Sequence, residues 1–198
     1  MEFEDFFKDI YKFTEKNRKK IEEFGKGQHP DISLIQCSDS RLSIPIKNKL
    51  GKIFTIREMG SIINDSSIAS IEYSVMIGVK KLLFMGHTNC GAIKGALSLI
   101  DEHENEEKKE IMKSEFLMEF MRNNIIKPLN LTKANKNKKS INELVIENEI
   151  IQIKKLLKES DLIRKKFIDD KIEIEICQYC TETGKIEFRN KFKNLMLT

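Results

Sequence analysis

The stretch that most constrains the fold covers residues 82–97, which read LLFMGHTNCGAIKGAL. Its first four residues form a short apolar run that ends at Gly86, which is typical of a buried strand. Helical spacing begins at Gly91, so His87 and Cys90 fall on the loop between a strand and a helix. Open α/β sheets place their ligands on such loops, outside the carboxyl ends of the strands. The sequence therefore predicts a ligand-binding loop at this point.

The helix that follows this loop bears on the acidity of the nearby thiol. Thr88 and Asn89 are residue types that cap helices, and we expect them to cap this one. Cys90 then lies near the positive end of the helix dipole, where the pKa of a thiol falls towards that of a metal-binding thiolate. A histidine and a cysteine three residues apart are nevertheless common by chance, so this loop alone does not identify a metal site.

A second candidate site follows another short apolar run. Residues 32–36, ISLIQ, have the pattern of a buried strand, and Cys-Ser-Asp-Ser-Arg follows at 37–41. If the chain stays extended there, the side chains of Cys37, Asp39 and Arg41 share one face, because a strand repeats every two residues. Together with the imidazole and the thiol of the first loop, Cys37 completes a set of three ligands suited to zinc, with a fourth position open.

These motifs resemble those of the β-class carbonic anhydrases. The signature of that family is Cys-Ser-Asp-Ser-Arg and a later Gly-His-x-x-Cys-Gly, matched here at residues 37–41 and 86–91. Gly-Gln-x-Pro at 27–30 and the helix around 71–75 fit the family as well. The resemblance implies an α/β fold with a mostly parallel central sheet flanked by helices, preceded by an N-terminal helical arm over residues 1–26.

The resemblance also implies a reaction, the zinc-dependent reversible hydration of carbon dioxide to bicarbonate and a proton. One zinc ion per chain would be held by Cys37, His87 and Cys90, and it would acidify the water that attacks carbon dioxide. Asp39 would either orient this water or swing in as a fourth zinc ligand, and Arg41 would hold it in the first role. Because two thiolates cancel the charge of the metal, we expect activity to favour alkaline pH.

A substrate pocket shared between two subunits is a further implication of the resemblance. Gln28 would hydrogen-bond bicarbonate in the active site of the neighbouring subunit. Phe54 and Met59 would form part of the apolar wall, Tyr73 matches a pocket tyrosine, and Gly91 belongs to the ligand motif that borders the substrate. Core packing would place the same aromatic residues at these positions, so the sequence leaves both interpretations open.

Two departures from the family pattern leave other functions open. The family commonly has Arg-Asn-Ala-Gly-Asn where residues 57–61 read Arg-Glu-Met-Gly-Ser, and Tyr-Asp where residues 179–180 read Tyr-Cys. A hydrolase of carbonyl sulfide or carbon disulfide on the same scaffold is therefore an alternative. A second alternative is not an enzyme: a zinc-stabilised dimer, or a thiol sensor that uses Cys177 and Cys180.

Composition and charge narrow the compartment and the partners. The 198 residues are expected to form one domain over 1–198, and 35 basic residues against 31 acidic ones give a net charge of +4, which is too balanced for nucleic-acid binding. No apolar run approaches the roughly 20 residues of a membrane span. Four cysteines, two of them assigned to metal, and the lack of a signal-peptide pattern favour a reducing cytoplasm.

Hydrophobic periodicity predicts the remaining elements. An aromatic, amphipathic helix over residues 2–24 packs either on its own domain or across a second subunit, as in the homodimer or dimer of dimers that the resemblance implies. Residues 101–113 are expected to be a solvated face or a mobile loop, and 171–179 an edge strand with one polar face. Further helices are predicted over 44–50, 64–77, 91–100, 115–126 and 141–158, a strand over 53–56 and a polar linker over 131–140.

Overall fold

A computed structural model describes residues 3–42, 51–136 and 138–192, and a sheet of five strands forms its centre. The strands are β1 (Ile32–Cys37), β2 (Ile53–Glu58), β3 (Lys81–His87), β4 (Glu173–Tyr179) and β5 (Ile186–Phe192). Their order across the sheet is β2-β1-β3-β4-β5. The first four strands run parallel and β5 is antiparallel to β4, so the prediction of a mostly parallel α/β fold is confirmed.

Helices flank this sheet and connect its strands. They are α1 (Phe3–Lys16), α2 (Arg18–Phe24), α3 (Asp65–Met76), α4 (Gly91–Ile100), α5 (Glu106–Met112), α6 (Glu115–Met121), α7 (Ile141–Glu159) and α8 (Asp161–Ile168). A 3-10 turn at Met59–Ser61 follows β2, and a π-helical turn at Arg122–Ile126 follows α6. No helix in the described part of the chain is long and apolar enough to cross a lipid bilayer.

Buried side chains form two clusters, because alternate residues of a strand face opposite sides of the sheet. Leu34 and Met85 belong to one cluster, with side chains from α4 and α6. Ile35 and Phe84 belong to the other, with side chains from α3 and α8, and α7 contributes to both. Side chains therefore cover both faces of the sheet. The carboxyl ends of the parallel strands remain open, and we call them the open edge of the sheet.

The register of the central strands brings the two ligand stretches together. Gln36 of β1 lies opposite Met85 of β3, so Cys37 and His87 end neighbouring strands at the same edge. Glu58, the last residue of β2, lies opposite Cys37, which places the Met59–Ser61 turn beside the first ligand. The fold thus assembles the predicted site from the ends of three adjacent strands.

The edge position predicted for β4 is wrong. The strand has the expected polar face, but β5 pairs with it along its length. The charges of that face are neutralised by the neighbouring strand: Nζ of Lys191 lies 3.2 Å from Glu173 Oε2 and 3.2 Å from Glu175 Oε1. The alternating charges of β4 therefore indicate a neighbouring strand that carries the opposite charge, and not an exposed edge of the sheet.

The single helix predicted over residues 2–24 is divided at Asn17 into α1 and α2. The Asn17 side chain donates to the carbonyl of Phe13 at 2.8 Å, and such local bonds compete with a regular helix. The helix predicted over 44–50 lies outside the described residues.

Residues 101–113, predicted to be a solvated face or a mobile loop, contain a helix, α5. Its start is capped by Asn105, whose side chain accepts from the Lys108 amide at 2.8 Å, and Ile111 anchors it in the core. Helix α8, whose N-cap is Ser160, was not predicted from the sequence. Both helices are short and rich in charge, and they bury only Ile111 in α5 and Ile163 and Phe167 in α8, so they gave little periodic signal.

Candidate metal centre

Three buried side chains converge at the open edge of the sheet. Cys37 at the end of β1, His87 at the end of β3 and Cys90 at the start of α4 each offer one ligand atom, and these atoms all lie within 4.8 Å of one another. The backbone pairing of β3 with β4 extends past the strand end, where the Thr88 amide donates to the Tyr179 carbonyl at 2.9 Å. The loop that carries two of the three candidate ligands is therefore tied to the end of β4.

The histidine presents one particular ring nitrogen to this group. Nδ1 of His87 lies 3.1 Å from the carbonyl oxygen of Thr88, while Nε2 is buried and has no hydrogen-bond partner among the described residues. With Nδ1 protonated and donating to that carbonyl, Nε2 keeps its lone pair. An orphaned buried nitrogen beside two thiols fits a zinc ion, for which two sulfurs and one imidazole are a suitable ligand set.

The two thiols differ in acidity. Contact with Cys90 lowers the pKa of Cys37, helped by His87 and by the Gly60 amide, which donates to Sγ at 3.3 Å. The same contact with Cys37, together with burial, raises the pKa of Cys90, although the first amides of α4 lower it. The start of α4 therefore acts on the pKa of Cys90 in the expected direction, while its contact with Cys37 and its burial act against it.

The capping predicted for α4 is wrong. Cys90 itself is the N-cap residue, without a side-chain hydrogen bond to the helix. Thr88 Oγ1 instead lies 3.0 Å from Thr181 Oγ1, and the Asn89 side chain donates to Glu182 at 3.4 Å. These two residues tie the ligand loop to the segment after β4 rather than starting the helix.

Asp39 is held beside the ligands by Arg41. Guanidinium nitrogens Nε and Nη2 donate to Oδ1 and Oδ2 at 2.9 and 2.7 Å, and Nη2 also donates to the Asn89 carbonyl. This pairing lowers the pKa of Asp39 to about 2, so the group is an ionised acceptor at neutral pH. Its Oδ2 lies 3.8 Å from Nε2 of His87, which places a carboxylate at the rim of the ligand group.

The geometric reason given for this pairing from the sequence is wrong. The chain is not extended past Cys37: the Arg41 amide donates to the Asp39 side chain at 3.0 Å, and the Leu42 amide donates to the Asp39 carbonyl at 3.0 Å. Asp39 and Arg41 meet because the chain turns, and Arg57 fixes the turn by donating to the Asp39 carbonyl at 2.6 Å.

Of the predicted pocket residues, Met59 and Gly91 adjoin the ligands of the same chain. Met59 is half-buried against the core cluster that contains both ligand thiols. Gly91 is exposed, and a Cβ there would meet no atom within 4 Å, so space is open beside Cys90. These two positions border the open edge, as a pocket requires.

Gln28, Phe54 and Tyr73 lie elsewhere in this chain. Phe54 is opposite Ser33, four residues before Cys37, which corresponds to about 13 Å along the strand. Its ring packs on that of Tyr73, with centroids 6.1 Å apart, and Tyr73 is 50% exposed. Gln28 is exposed and precedes the start of β1. The structure therefore does not bring these three side chains to the ligands of their own chain.

The remaining cysteines do not form a pair. All four cysteines of the chain are free, Cys177 is fully buried in β4, and Cys180 follows the strand end. Burial raises the pKa of Cys177 to about 12, which keeps it a thiol at neutral pH. The arrangement gives no support to a sensor that uses the Cys177 thiolate.

Sequence reasoning missed the polar side chains of α7 that reach this region. Asn148 donates to the Gly60 carbonyl at 2.8 Å, Gln152 accepts from the Ile63 amide at 2.9 Å, and Glu149 is buried between them. The signal that could have found Glu149 is its place on the apolar stripe, four residues after Val145 and four before Ile153.

Comparisons with known proteins agree with this geometry. A sequence model described as carbonic anhydrase matches residues 32–186. A carbonic anhydrase of Synechococcus elongatus is 38% identical over 92 residues, and one of Helicobacter pylori is 27% identical over 201 residues. The solved structure of the β-carbonic anhydrase CcaA is 25% identical, with a TM-score of 0.66, and covers 96% of this chain and 91% of its own.

The extent of these matches differs. The Synechococcus match covers 42% of this chain and 34% of the relative, so the chain spans about a third of that relative's length, whereas the Helicobacter match covers 93% of this chain and 82% of the relative. The family match, in contrast, includes all three ligand residues and every strand of the parallel sheet. The chain therefore belongs to the β-class carbonic anhydrase family.

Proposed function

We propose that this protein catalyses the reversible hydration of carbon dioxide to bicarbonate and a proton, with one zinc ion per chain. The observation that carries the proposal is the convergence of two thiols and an unpartnered imidazole nitrogen at the open end of the sheet. Family membership supports the reaction, and the donor set supports the metal.

The ligand residues would hold zinc from three sides. Cys37 is oriented by the Gly60 amide, and His87 by the Thr88 carbonyl, so both donors are positioned by groups behind them. When bound, zinc supplies a Lewis acid that lowers the pKa of water at its open position. In the described part of the chain, space is open beside Gly91. A small linear substrate could reach the site through this space.

Asp39 would orient the attacking water. Its carboxylate accepts hydrogen bonds only, and Arg41 fixes both of its oxygens while leaving Oδ2 near the ligand group. A hydrogen bond from the water to this oxygen aims a lone pair of the water at the substrate carbon. Without the guanidinium, the carboxylate is free to turn towards the metal position, which is the fourth-ligand role considered from the sequence.

A second subunit would complete the pocket. Gln28, Phe54 and Tyr73, the pocket residues implied by the family resemblance, lie away from the ligands of their own chain, with Phe54 and Tyr73 in contact. Supplying them across a two-fold interface resolves this separation, and a homodimer or dimer of dimers follows. Four free cysteines support a reducing compartment, such as the cytoplasm.

Stopped-flow measurement of carbon dioxide hydration with a pH indicator tests the proposal. The zinc-loaded protein should accelerate hydration above the buffer rate, with a faster rate at alkaline pH. Cys90→Ala should lose both zinc, measured by elemental analysis, and activity, because a buried ligand is replaced by a methyl group.

Cys180→Ser is the matched control, since it removes a thiol outside the ligand group and should keep both zinc and rate. A zinc-loaded protein that hydrates carbon dioxide no faster than buffer would contradict the proposal. Hydrogen sulfide release from carbonyl sulfide or carbon disulfide by that protein would then favour the alternative hydrolase.

A further inference from the structure

One peptide of the ligand loop is held by a residue that the proposed reaction does not use. The carbonyl of this peptide belongs to Thr88 and lies 3.1 Å from Nδ1 of the candidate ligand His87. Thr181 Oγ1 also approaches this carbonyl, but at 3.5 Å it is a weak donor. The amide of the same peptide belongs to Asn89 and donates to Oδ1 of Asn142 at 3.1 Å. Because a trans peptide is planar and its C=O and N–H point in opposite directions, a contact that fixes the amide also fixes the direction of the carbonyl.

The loop backbone adopts an uncommon conformation at Asn89. Its φ is +53°, in the left-handed region that residues other than glycine rarely adopt, although asparagine tolerates it better than most. The carbonyl of Asn89 accepts from Nη2 of Arg41 at 3.0 Å. Both peptides that flank this residue are therefore fixed from outside the loop, one by α7 and the other by the arginine that binds Asp39.

Asn142 lies in a well-fixed part of the molecule. It is the second residue of α7, whose start is closed by a capping box: the Ser140 amide donates to Glu143 at 2.7 Å, and the Glu143 amide donates to Ser140 Oγ at 3.2 Å. The carbonyl of Asn142 accepts from Nε2 of Gln178, a buried residue of β4, at 3.2 Å. The oxygen that meets the ligand loop is therefore fixed relative to β4, which pairs with the strand that ends in His87.

The contact with Asn142 acts on the imidazole of His87 through the peptide between them. It sets the direction of the Thr88 carbonyl, which orients the ring through Nδ1 and leaves the lone pair on the buried, unpartnered Nε2. Hydrogen bonds in a chain also polarise one another, so a bond at the amide makes the carbonyl of the same peptide a better acceptor. A better acceptor at Nδ1 makes Nε2 a more basic ligand.

We propose that Asn142 is a positioning residue of the metal centre, which fixes the peptide between Thr88 and Asn89 and, through its carbonyl, the ring of His87. The proposal rests on the metal-binding part of the proposed function and is independent of the reaction catalysed. Loss of a group behind a metal ligand typically weakens metal affinity by about 10–100-fold. Asn142 acts one peptide further from the metal, so we expect the lower end of this range.

Zinc affinity, measured by competition with a chromophoric chelator, tests this role. Asn142→Ala and Asn142→Leu should each weaken zinc binding by about 10-fold, because neither side chain accepts a hydrogen bond. Both should also shift the visible absorption bands of the cobalt-substituted protein, which report the geometry of the ligands. Asn142→Asp should keep the wild-type affinity and bands, because a carboxylate oxygen accepts from the Asn89 amide in the same way.

Asn105→Ala is the matched control for the loss of an asparagine that accepts from a backbone amide. The Asn105 side chain accepts from the Lys108 amide at 2.8 Å, but it caps α5 and has no contact with the ligand loop among the hydrogen bonds of the described residues. This variant should lower the melting temperature, as the loss of a helix cap does, and leave zinc affinity and the cobalt bands unchanged.

Wild-type zinc affinity in Asn142→Leu would overturn the proposal. Affinity in Asn142→Asp as low as in Asn142→Leu would also overturn it, since the two side chains are similar in size and differ in whether they accept a hydrogen bond. This comparison decides the matter if Asn142→Ala does not fold.

Zinc affinity and hydration rate together separate this proposal from the proposed function. A wild-type protein that binds zinc but hydrates carbon dioxide no faster than buffer would contradict the reaction alone. A protein that hydrates carbon dioxide, and whose Asn142→Leu variant binds zinc as tightly as wild type, would contradict the positioning role alone.

Discussion

Arg41 fixes the position of Asp39 beside the candidate metal centre. Its guanidinium binds both carboxylate oxygens and the Asn89 carbonyl, so one side chain links the turn after β1 to the loop after β3. A planar, permanently charged fork holds a carboxylate in one orientation better than a lysine does. The pairing therefore serves orientation more than stability, since exposed ion pairs contribute only about 0–1 kcal/mol.

Replacing this arginine should separate metal binding from turnover. We expect Arg41→Ala to keep its zinc, because no ligand is removed, and to lose about 100-fold in hydration rate, because small misplacements of an orienting group have effects of that size. The measurements are hydration rate across a range of pH and zinc content by elemental analysis. Arg41→Lys should be intermediate, since it keeps the charge without the fork.

Arg189→Ala is the matched control for losing a guanidinium. Arg189 is 44% exposed and pairs with Glu187 on β5, whereas Arg41 is 46% exposed, so the two sites differ chiefly in their neighbours. The control should hydrate carbon dioxide at the wild-type rate. An Arg41→Ala protein that matched it at every pH would show that Asp39 does not depend on Arg41 for its role.

At the scale of elements, the sequence predicts a strand or helix best when the hydrophobic pattern of that segment alone identifies it. The apolar runs before Cys37 and His87 predicted β1 and β3, because a strand buried on both faces is apolar throughout. No strand was predicted for β5, although apolar and charged residues alternate in it as they do in β4, because the hairpin that pairs the two strands was not recognised. The edge position given to β4 failed for the same reason.

The residues of the candidate site also divide into those that local sequence patterns predict and those that they do not. The three candidate ligands were predictable because their motifs are local and begin at the ends of two strands that the register brings together. Glu149 and the amide of Gly60 were not, because their contacts depend on how α7 packs against a turn far away in the chain. Asp39 was placed correctly for an incorrect reason, since a turn was mistaken for an extended segment.

The packing of α7 on β3 can be tested at Gly86. A Cβ at this position would lie 2.5 Å from Val145 Cγ1, so alanine forces the helix away from the strand. We expect Gly86→Ala to lower the free energy of unfolding by about 1–3 kcal/mol, as overpacking in a core does. Urea denaturation monitored by circular dichroism measures the change.

A second substitution shows whether this contact is the cause. Val145→Ala removes the clashing methyl group, so the double variant should be more stable than the sum of the single effects predicts, with a coupling of about 0.5–3 kcal/mol. Gly25→Ala is the control, because a Cβ there meets its neighbours only at 3.4 and 3.5 Å. Simple additivity of the two substitutions would mean that the helix does not press on Gly86.

At the scale of the whole molecule, one chain holds the metal ligands and the proposed pocket residues in different places. Cys37 lies at the carboxyl end of β1, while Phe54 lies near the start of β2 and contacts the half-exposed Tyr73. A two-fold interface would give each site residues from both chains, because the same surface is used twice. The protein should therefore sediment at no less than twice the chain mass of 23.1 kDa.

Complementation between inactive chains tests this shared site. In a heterodimer of a Cys90→Ala chain with a Gln28→Ala chain, one site has intact ligands from the second chain and Gln28 from the first. Such dimers, purified through two different affinity tags, should recover about half of the wild-type hydration rate, since one of two symmetric sites is complete.

The matched control pairs a wild-type chain with a chain that carries both substitutions. Its one zinc-binding site then lacks Gln28, so it should have about half the rate of the Gln28→Ala homodimer, which has two such sites. If Gln28 serves its own chain, the two heterodimers exchange behaviour: the control keeps half of the rate and the complementing pair recovers none.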